Sequence, residues 1–249
     1  MAYNYNFFKH LILGRRLVND PIYFKTKELT AMEISKEPKR TEVLNFLLAY
    51  LKRDTTYLEI GTRNTADNYK QIKATKKYSV DPGVEFFDPT IDFKLSSDAF
   101  FKQLDEGSIL SNTIKFDLIF IDGLHLAEQV QKDIENALRY LKDDGFIALH
   151  DCNPPTEWHA RENYNYRQTP AHGYWNGTTW KAFQKARFNP SLFSCCIDTD
   201  WGLGLISKKH PLGKAIGPNN PFFEYNIFEK NRTVNLNLMS FEDLKNILQ

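Results

Sequence analysis

Apolar and polar residues along the chain follow two alternating spacings. Short runs rich in apolar and β-branched residues predict strands at 56–60, 77–80, 116–121 and 146–149. Between the last two runs, apolar residues recur at helical spacing over 126–141 and predict an amphipathic helix. Strands that alternate with helices predict a parallel sheet covered by helices on both faces.

The length of 249 residues fits one large α/β domain with additions. Residues 1–52 predict a helical extension, residues 53–209 the domain, and residues 210–249 a weakly patterned C-terminal extension. Within the domain, residues 152–178 are polar, aromatic and proline-containing without periodicity, which predicts an ordered loop or lid that receives the acceptor.

Two short β runs follow the lid, at 192–197 and 202–207. No helix separates them, so they are predicted to form an antiparallel hairpin. A dinucleotide-binding Rossmann sheet would cross over through a helix at this point, and the hairpin resembles the methyltransferase form of that fold. The predicted fold is therefore α/β: a Rossmann-like, mostly parallel sheet with a terminal antiparallel hairpin and helices on both faces.

Acidic residues and a glycine mark the ends of the first two predicted strands. Ligands of open parallel sheets bind outside the carboxyl ends of the strands, where Gly61 lets the backbone approach a ligand closely. Glu59 lies at the end of an otherwise apolar strand, where burial requires a partner. Asp81 ends the next strand, about 20 residues after the glycine, where an acid accepts hydrogen bonds from ribose hydroxyls.

These positions resemble motifs I and II of class I S-adenosylmethionine-dependent methyltransferases. The resemblance implies that the turn from Glu59 through Thr62 and Arg63 faces the methionine part of S-adenosylmethionine, and that Asp81 holds its ribose. Many members have Gly-x-Gly-x-Gly here, whereas this chain has one glycine; Arg63 lies either over the methionine carboxylate or in solvent. The absence of Gly-x-Gly-x-x-Gly disfavours NAD and a dehydrogenase. Asp98 lies where family members flank the adenine, and it either bonds the adenine amino group or caps a helix.

The third and fourth predicted strands also end in acids. Asp122-Gly-x-His125 follows one strand and His150-Asp151-x-Asn153 follows the other. Neighbouring strands lie about 4.8 Å apart, so Asp122 and Asp151 are predicted to share a hard divalent cation, with Asn153 as a third oxygen ligand. Such a cation lowers the pKa of a substrate hydroxyl for attack on the sulfonium methyl group. His125 is the candidate general base.

Structural roles for the same residues are the alternatives. Asp122 at a strand end can cap the following helix, and Asp151 can be a turn residue held by Asn153. His150 is predicted to pack in the core, because alternation along a strand directs it away from Asp151.

A closer resemblance, covering about residues 55–207, is to the bacterial methyltransferase 24 family. It is carried by segments 122–125, 143–145, 150–159, 175–177 and 180–181. The resemblance implies a stand-alone enzyme of the kind encoded near glycosyltransferases. Related sugar O-methyltransferases hold magnesium with aspartates at comparable strand ends, which implies that role for Asp122 and Asp151. Those relatives often have another acid after the second aspartate, where this chain has Cys152.

Composition narrows the class of protein. Lys and Arg number 32 against 31 acidic residues, so the formal charge of +1 gives no reason to expect nucleic acid. The three cysteines have neither disulfide-framework nor zinc-site spacing, and they fit a reducing compartment. No stretch approaches the roughly 20 apolar residues of a membrane span. The cytoplasm is the expected location.

The sequence thus predicts an S-adenosylmethionine-dependent methyltransferase that modifies a hydroxyl of a sugar or glycan. Assistance by Mg²⁺ is left open. Methylation of a nitrogen or a small phenol is the alternative reaction, and a non-catalytic methyltransferase-like binding module is the alternative class. The helical N-terminus is a candidate homodimer surface.

Overall fold

The computed structural model describes residues 2–249, with side chains described for 7–16 and 19–249. Three helices open the chain: α1 (Ala2–Val18), α2 (Pro21–Ser35) and α3 (Arg40–Tyr50). They confirm the helices predicted for this region. No helix in the described residues is long and apolar enough to cross a membrane.

Seven strands form one sheet. They are β1 (Thr56–Ile60), β2 (Lys76–Val80), β3 (Phe116–Ile121), β4 (Leu141–Leu149), β5 (Phe193–Ile197), β6 (Leu203–Ser207) and β7 (Leu238–Met239). The predicted strands are confirmed, but β4 starts earlier than the predicted residue 146 and contains Asp144 and Gly145. The pairing register of β3 and β4 shifts at this point.

Six further helices complete the described chain. They are α4 (Ser97–Asp105), α5 (Ala127–Tyr140), α6 (Thr179–Ala186), α7 (Tyr225–Lys230), α8 (Arg232–Leu236) and α9 (Phe241–Leu248). The predicted apolar face of α5 is buried at Val130, Ile134 and Ala137. The fully described segment 152–178, predicted as an ordered loop or lid, contains no helix or strand.

The strand order is β2-β1-β3-β4-β6-β5-β7. The first four strands are parallel, β6 is antiparallel to both β4 and β5, and β7 pairs in parallel with β5. The mostly parallel sheet with an antiparallel hairpin is therefore confirmed. Beyond the named strands, a single parallel bridge joins Val80 to Phe93. The carboxyl ends of β1 to β4 consequently lie along one edge, where the candidate residues meet.

Apolar side chains cover both faces of the sheet. One core cluster joins the sheet to α4, α5 and α6 and includes Phe100, Ile134 and Phe183. The other cluster joins it to α3 and α9 and includes Leu47 and Leu244. Burial on both faces fixes the strand ends rigidly, because each strand is held by packing from above and below.

Candidate active site

Gly61 brings the end of β1 against the turn after β3. Its φ of +84° is in the left-handed region that favours glycine. A Cβ atom at this position would lie 2.3 Å from the carbonyl oxygen of Asp122, so no side chain fits. The backbone N–H of Gly61 donates to Val80 at 2.8 Å, which ties the turn to β2 as well.

Glu59 is a buried acid directly before this turn. Its Oε2 accepts hydrogen bonds from the Tyr57 hydroxyl at 2.5 Å and from the Asn68 side-chain amide at 2.7 Å. Burial raises the pKa of Glu59 to about 7, although both hydrogen bonds act in the opposite direction. Asn68, in the loop after β1, was not singled out from the sequence because nothing local marks it as a partner of Glu59.

The acid after β2 is held by backbone groups. One oxygen of Asp81 accepts from the backbone N–H of Arg63 at 2.9 Å, and the other accepts from Gly83 at 2.7 Å. The Arg63 side chain is 60% exposed and its guanidinium contacts Asp67. Thr62 is buried, with its hydroxyl 3.4 Å from the carbonyl oxygen of Glu59.

Asp98 lies in the first turn of α4 and does not cap it. The N-cap is Ser96, whose extended backbone is suited to that position and whose hydroxyl accepts from Ala99. The capping alternative for Asp98 is therefore wrong. Its carboxylate is exposed and accepts from the Gln129 side-chain amide at 2.9 Å, which ties α4 to α5.

Asp122, His125 and Asp151 come together at the ends of β3 and β4. His125 Nε2 lies 3.2 Å from Asp122 Oδ1, and His125 Nδ1 lies 3.1 Å from Asp151 Oδ2. Asp122 does not cap the following helix, because Leu126 occupies the N-cap position of α5. Asp151 is held through its Oδ1 by the side-chain amide of Asn176 at 2.7 Å.

His150 faces this group, and its predicted place in the apolar core is wrong. Its Nδ1 lies 3.2 Å from Asp122 Oδ1 and 3.3 Å from Asp151 Oδ2. The φ of +62° at Asp151 explains the difference. A left-handed residue two positions after the end of β4 breaks the alternation of an extended strand, so the side chains of His150 and Asp151 reach the same side.

Asn153 is not brought to the acidic group. Its amide oxygen accepts from Arg232 Nη1 at 2.5 Å, and its amide nitrogen donates to Asp198 at 3.1 Å. Asn153, the predicted third oxygen ligand, therefore connects helix α8 to the turn between β5 and β6 through these two hydrogen bonds. Arg232 lies 79 positions beyond Asn153, and no local pattern relates the two residues.

Charge balance dominates the electrostatics of the group. Burial opposes the charged form of Asp122, but His150 and His125 outweigh it and hold the Asp122 pKa well below its usual value. Burial also opposes a charge on His125, yet Asp151 and Asp122 raise its pKa to about 9. The pKa of His150 is raised for the same reason. Two imidazoles therefore neutralise two carboxylates in this arrangement.

The donor set also fits a divalent cation. Asp122, His125 and Asp151 each offer one ligand atom, and these atoms all lie within 4.8 Å of one another. The two carboxylates are oxygen donors that Mg²⁺ accepts, whereas the imidazole suits a transition metal such as Zn²⁺; water and substrate can complete the coordination of either ion. Asp122 and Asp151 are the oxygen donors of the set.

The segment 152–178, predicted as the lid, packs against His125. The Trp175 ring stacks on the imidazole with centroids 5.2 Å apart, and the Trp175 carbonyl oxygen lies 3.1 Å from His125 Nδ1. The backbone N–H of Thr178 donates to the His125 carbonyl at 2.7 Å. At Gly177, φ is +59° and a Cβ atom would lie 2.1 Å from that carbonyl oxygen. The lid thus fixes the orientation of His125.

Comparison with known proteins places these features in a wider group. Residues 44–152 match the methyltransferase 24 family model, described as a methyltransferase domain. The chain is an enzyme of the methyltransferase type. The match begins inside α3 and ends after β4, which differs from the predicted span of 55–207. No curated protein matches the chain.

Several solved methyltransferase structures resemble the fold. An O-methyltransferase from Bacillus cereus in complex with SAH shares 15% identity over 73% of this chain and 88% of its own, with a TM-score of 0.43. A putative O-methyltransferase from Klebsiella pneumoniae shares 17% sequence identity over 76% of this chain and 90% of its own, with a TM-score of 0.43. A putative caffeoyl-CoA O-methyltransferase from Staphylococcus aureus shares 15% sequence identity over 80% of this chain and 97% of its own, with a TM-score of 0.43.

Proposed function

We propose that the protein transfers the methyl group of S-adenosylmethionine to a hydroxyl of a sugar or glycan. The observation that carries this proposal is the close approach of the two halves of the site. Gly61 lies so near Asp122 that a Cβ atom would meet the Asp122 carbonyl at 2.3 Å. The turn suited to the cofactor and the group suited to handling a proton therefore share one edge of the sheet.

The cofactor half is supported by three groups. Glu59 is a buried carboxyl suited to the methionine ammonium, whose positive charge offsets the cost of ionising the acid. Asp81 is held by two backbone N–H groups, which orient its carboxylate toward ribose hydroxyls. Gly61 lets the sulfonium end of the cofactor approach the backbone.

The transfer half consists of His125 between two carboxylates. The acceptor oxygen attacks the methyl carbon in line, the O–CH₃ bond forms as the S–CH₃ bond breaks, and S-adenosylhomocysteine leaves neutral. The hydroxyl proton passes to His125 once its imidazole is neutral. Asp122 and Asp151 would hold Mg²⁺, which supplies the positive charge that lowers the pKa of the acceptor hydroxyl.

Aromatic side chains on the lid support a carbohydrate acceptor. Trp158, Tyr166 and Tyr174 expose between 37% and 54% of their surface. Tyr174 also stacks on Trp201 of the β5–β6 turn, with centroids 5.4 Å apart. Aromatic rings bind the apolar CH face of a sugar, while hydroxyls around the ring find polar partners.

Cofactor binding is the first test. Isothermal titration calorimetry should show saturable binding of S-adenosylmethionine and S-adenosylhomocysteine, and Asp81→Asn should weaken both. Adenosine triphosphate and NAD are matched controls that should not compete. Absence of binding at millimolar cofactor concentration would overturn the proposal.

Acceptor and metal need a second test. Transfer of a labelled methyl group should occur to nucleotide sugars or glycan intermediates and be absent with catechols and amines. EDTA should abolish the transfer and added Mg²⁺ should restore it. Full activity in EDTA would remove the cation from the proposal and leave His125 to act with the two carboxylates alone.

We also propose that the protein is a homodimer. Helices α1 and α2 expose apolar side chains at Phe7, Leu11, Ile22 and Phe24, each more than half exposed. Monomers expose patches of this kind mainly at interaction sites. Sedimentation velocity should show a dimer, and a Phe7→Ser/Phe24→Ser variant should sediment as a monomer.

A cytoplasmic location is likewise proposed. Cys152, Cys195 and Cys196 are free and buried. Unpaired thiols are typical of reducing compartments. Fractionation of the native host, followed by immunodetection, should place the protein in the cytosolic fraction; recovery with membranes would contradict this.

A further inference from the structure

Arg40 is the first residue of α3. Although it lies far earlier in the sequence, its side chain reaches the group formed by Asp122, His125, His150 and Asp151. Its Nη1 lies 3.1 Å from Asp200 Oδ2 and 3.4 Å from His150 Nε2. Its backbone N–H donates to the same Asp200 oxygen at 3.0 Å. The N-terminal helices therefore contribute a charged side chain beside the residues assigned to transfer.

Asp200 holds an unusual backbone position in the turn between β5 and β6. Its φ is +44°, followed by +67° at Trp201 and +88° at Gly202. Left-handed conformations at non-glycine residues cost free energy and persist only where surrounding contacts impose them. The contacts here include backbone hydrogen bonds from Cys152 to Gly202 and from Asn153 to Trp201, each at 2.9 Å. The turn thereby points the Asp200 carboxylate at Arg40 and His150.

The contacts of His150 fix where its ring proton lies. Nδ1 faces only acceptors, since Asp122 Oδ1 and Asp151 Oδ2 lie 3.2 and 3.3 Å away. On the other side, Nε2 lies between an Arg40 donor at 3.4 Å and the Asp200 carboxylate at 3.7 Å. Arg40 can donate to a neutral Nε2, and Asp200 can accept from a protonated one. In both cases Nδ1–H points at the two carboxylates.

We propose that Arg40 and Asp200 are positioning residues that act through His150 to orient Asp122 and Asp151 for the transfer reaction. This inference rests on the proposed function. The Arg40 and Asp200 side chains hydrogen-bond with each other and with His150, and not with Glu59 or Gly61. The Arg40 charge also lowers the pKa of Glu59, so the pair affects transfer more strongly than cofactor binding. Removing the Arg40 side chain leaves the buried Asp200 carboxylate with a backbone N–H donor but without its guanidinium partner. Asp200 then draws His150 away from Asp122 and Asp151.

Lys36 provides a matched control, because Arg40 could affect activity merely by holding the N-terminal helices against the rest of the protein. It forms ion pairs with Glu33 at 2.5 Å and with Asp198 at 2.7 Å. Asp198 belongs to the same turn as Asp200, so Lys36 joins the same two parts of the molecule as Arg40 does. Its ammonium is paired outside the histidine group. Lys36→Met therefore loosens the docking without disturbing His150.

The experiment compares Arg40→Ala and Lys36→Met with the unmodified protein. Arg40→Ala should lower kcat about 10- to 100-fold, as loss of supporting contacts at such sites does, with a clearly smaller change in the affinity for S-adenosylhomocysteine. It should shift the ring ¹⁵N signals of His150 in NMR spectra of the free protein. Added guanidinium should restore part of kcat by occupying the space left by the side chain. Lys36→Met should leave kcat and the His150 signals unchanged.

Two results would overturn the inference. Equal losses in Arg40→Ala and Lys36→Met would show that Arg40 only docks the helices, and unchanged His150 signals in Arg40→Ala would show that it does not act through the ring. If Arg40→Ala does not fold, Asp200→Asn tests the same contact while keeping an acceptor for Arg40. The NMR result stands even if no methyl transfer is found, which separates failure of this inference from failure of the proposed function.

Discussion

At the scale of single residues, Gly61 determines whether the two halves of the site can meet. Gly61→Ala places a Cβ atom 2.3 Å from the Asp122 carbonyl and forces an L side chain to φ of +84°. Gly107→Ala is the matched control, because its φ is +69° but nothing lies within 4 Å. The control should lose about 1–2 kcal/mol for its backbone conformation alone. Gly61→Ala should lose clearly more in urea denaturation, and equal losses would contradict the close approach.

Glu59 should make stability depend on pH. Burial raises its pKa from 4.5 to about 7, so the unfolded chain releases the proton before the folded one does. The buried acid therefore lowers the free energy of unfolding at high pH. This loss of stability is absent below the unfolded pKa, grows as pH rises from about 4.5 to 7, and is constant above that. At about 1.4 kcal/mol per pKa unit, it reaches about 3 kcal/mol. Urea denaturation of Glu59→Gln at pH 4 and pH 8 should lack this loss; parallel profiles for both proteins would contradict it.

The residues that sequence could identify are those whose position follows from a strand end. Gly61, Asp81 and Asp122 each follow a recognisable β run, and a parallel sheet brings such ends to one edge. Arg40 and Asp200 could not be identified, because 160 positions separate them and no periodicity relates them. His150 was misplaced since the left-handed backbone of Asp151 is invisible in the residue pattern.

At the scale of elements, α5 depends on the lid for its N-terminus. Its N-cap residue, Leu126, has no side chain that can accept a hydrogen bond, and the hydroxyl of Thr178 accepts from Ala127 at 2.8 Å instead. Thr178→Val should therefore cost about 1 kcal/mol, as loss of a cap does. Thr179→Val is the control, since the described residues give its buried hydroxyl no partner and its loss should be nearly neutral. Thermal denaturation of both variants checks the difference, and equal effects would contradict a capping role.

Helices and strands that are long enough to show a regular spacing of apolar residues could be predicted from the sequence, and very short strands could not. The hairpin of β5 and β6 followed from two β runs without an intervening helix. The two-residue strand β7 has no period to detect, and it forms because the C-terminal segment pairs with Cys196 and Ile197. Tertiary pairing rather than local preference produces such strands.

At the scale of the whole molecule, the N-terminal helices divide into two kinds. Helix α3 buries Val43, Leu44, Leu47 and Leu48 against the sheet, and the family match begins within it. Helix α1 instead exposes Leu11 and its apolar neighbours. The boundary predicted after residue 52 stays a prediction, and the packing of α3 favours an earlier one.

Two leucine substitutions test where the domain begins. Leu47→Ala should lower the free energy of unfolding by about 2–5 kcal/mol, because it leaves a cavity in a fully buried part of the core. Leu11→Ala, at a side chain 53% exposed, should change it by less than about 0.5 kcal/mol. Urea denaturation measures both. Equal small effects would make α3 an accessory helix, and Arg40 at its start would then lack the rigid support that a positioning role requires.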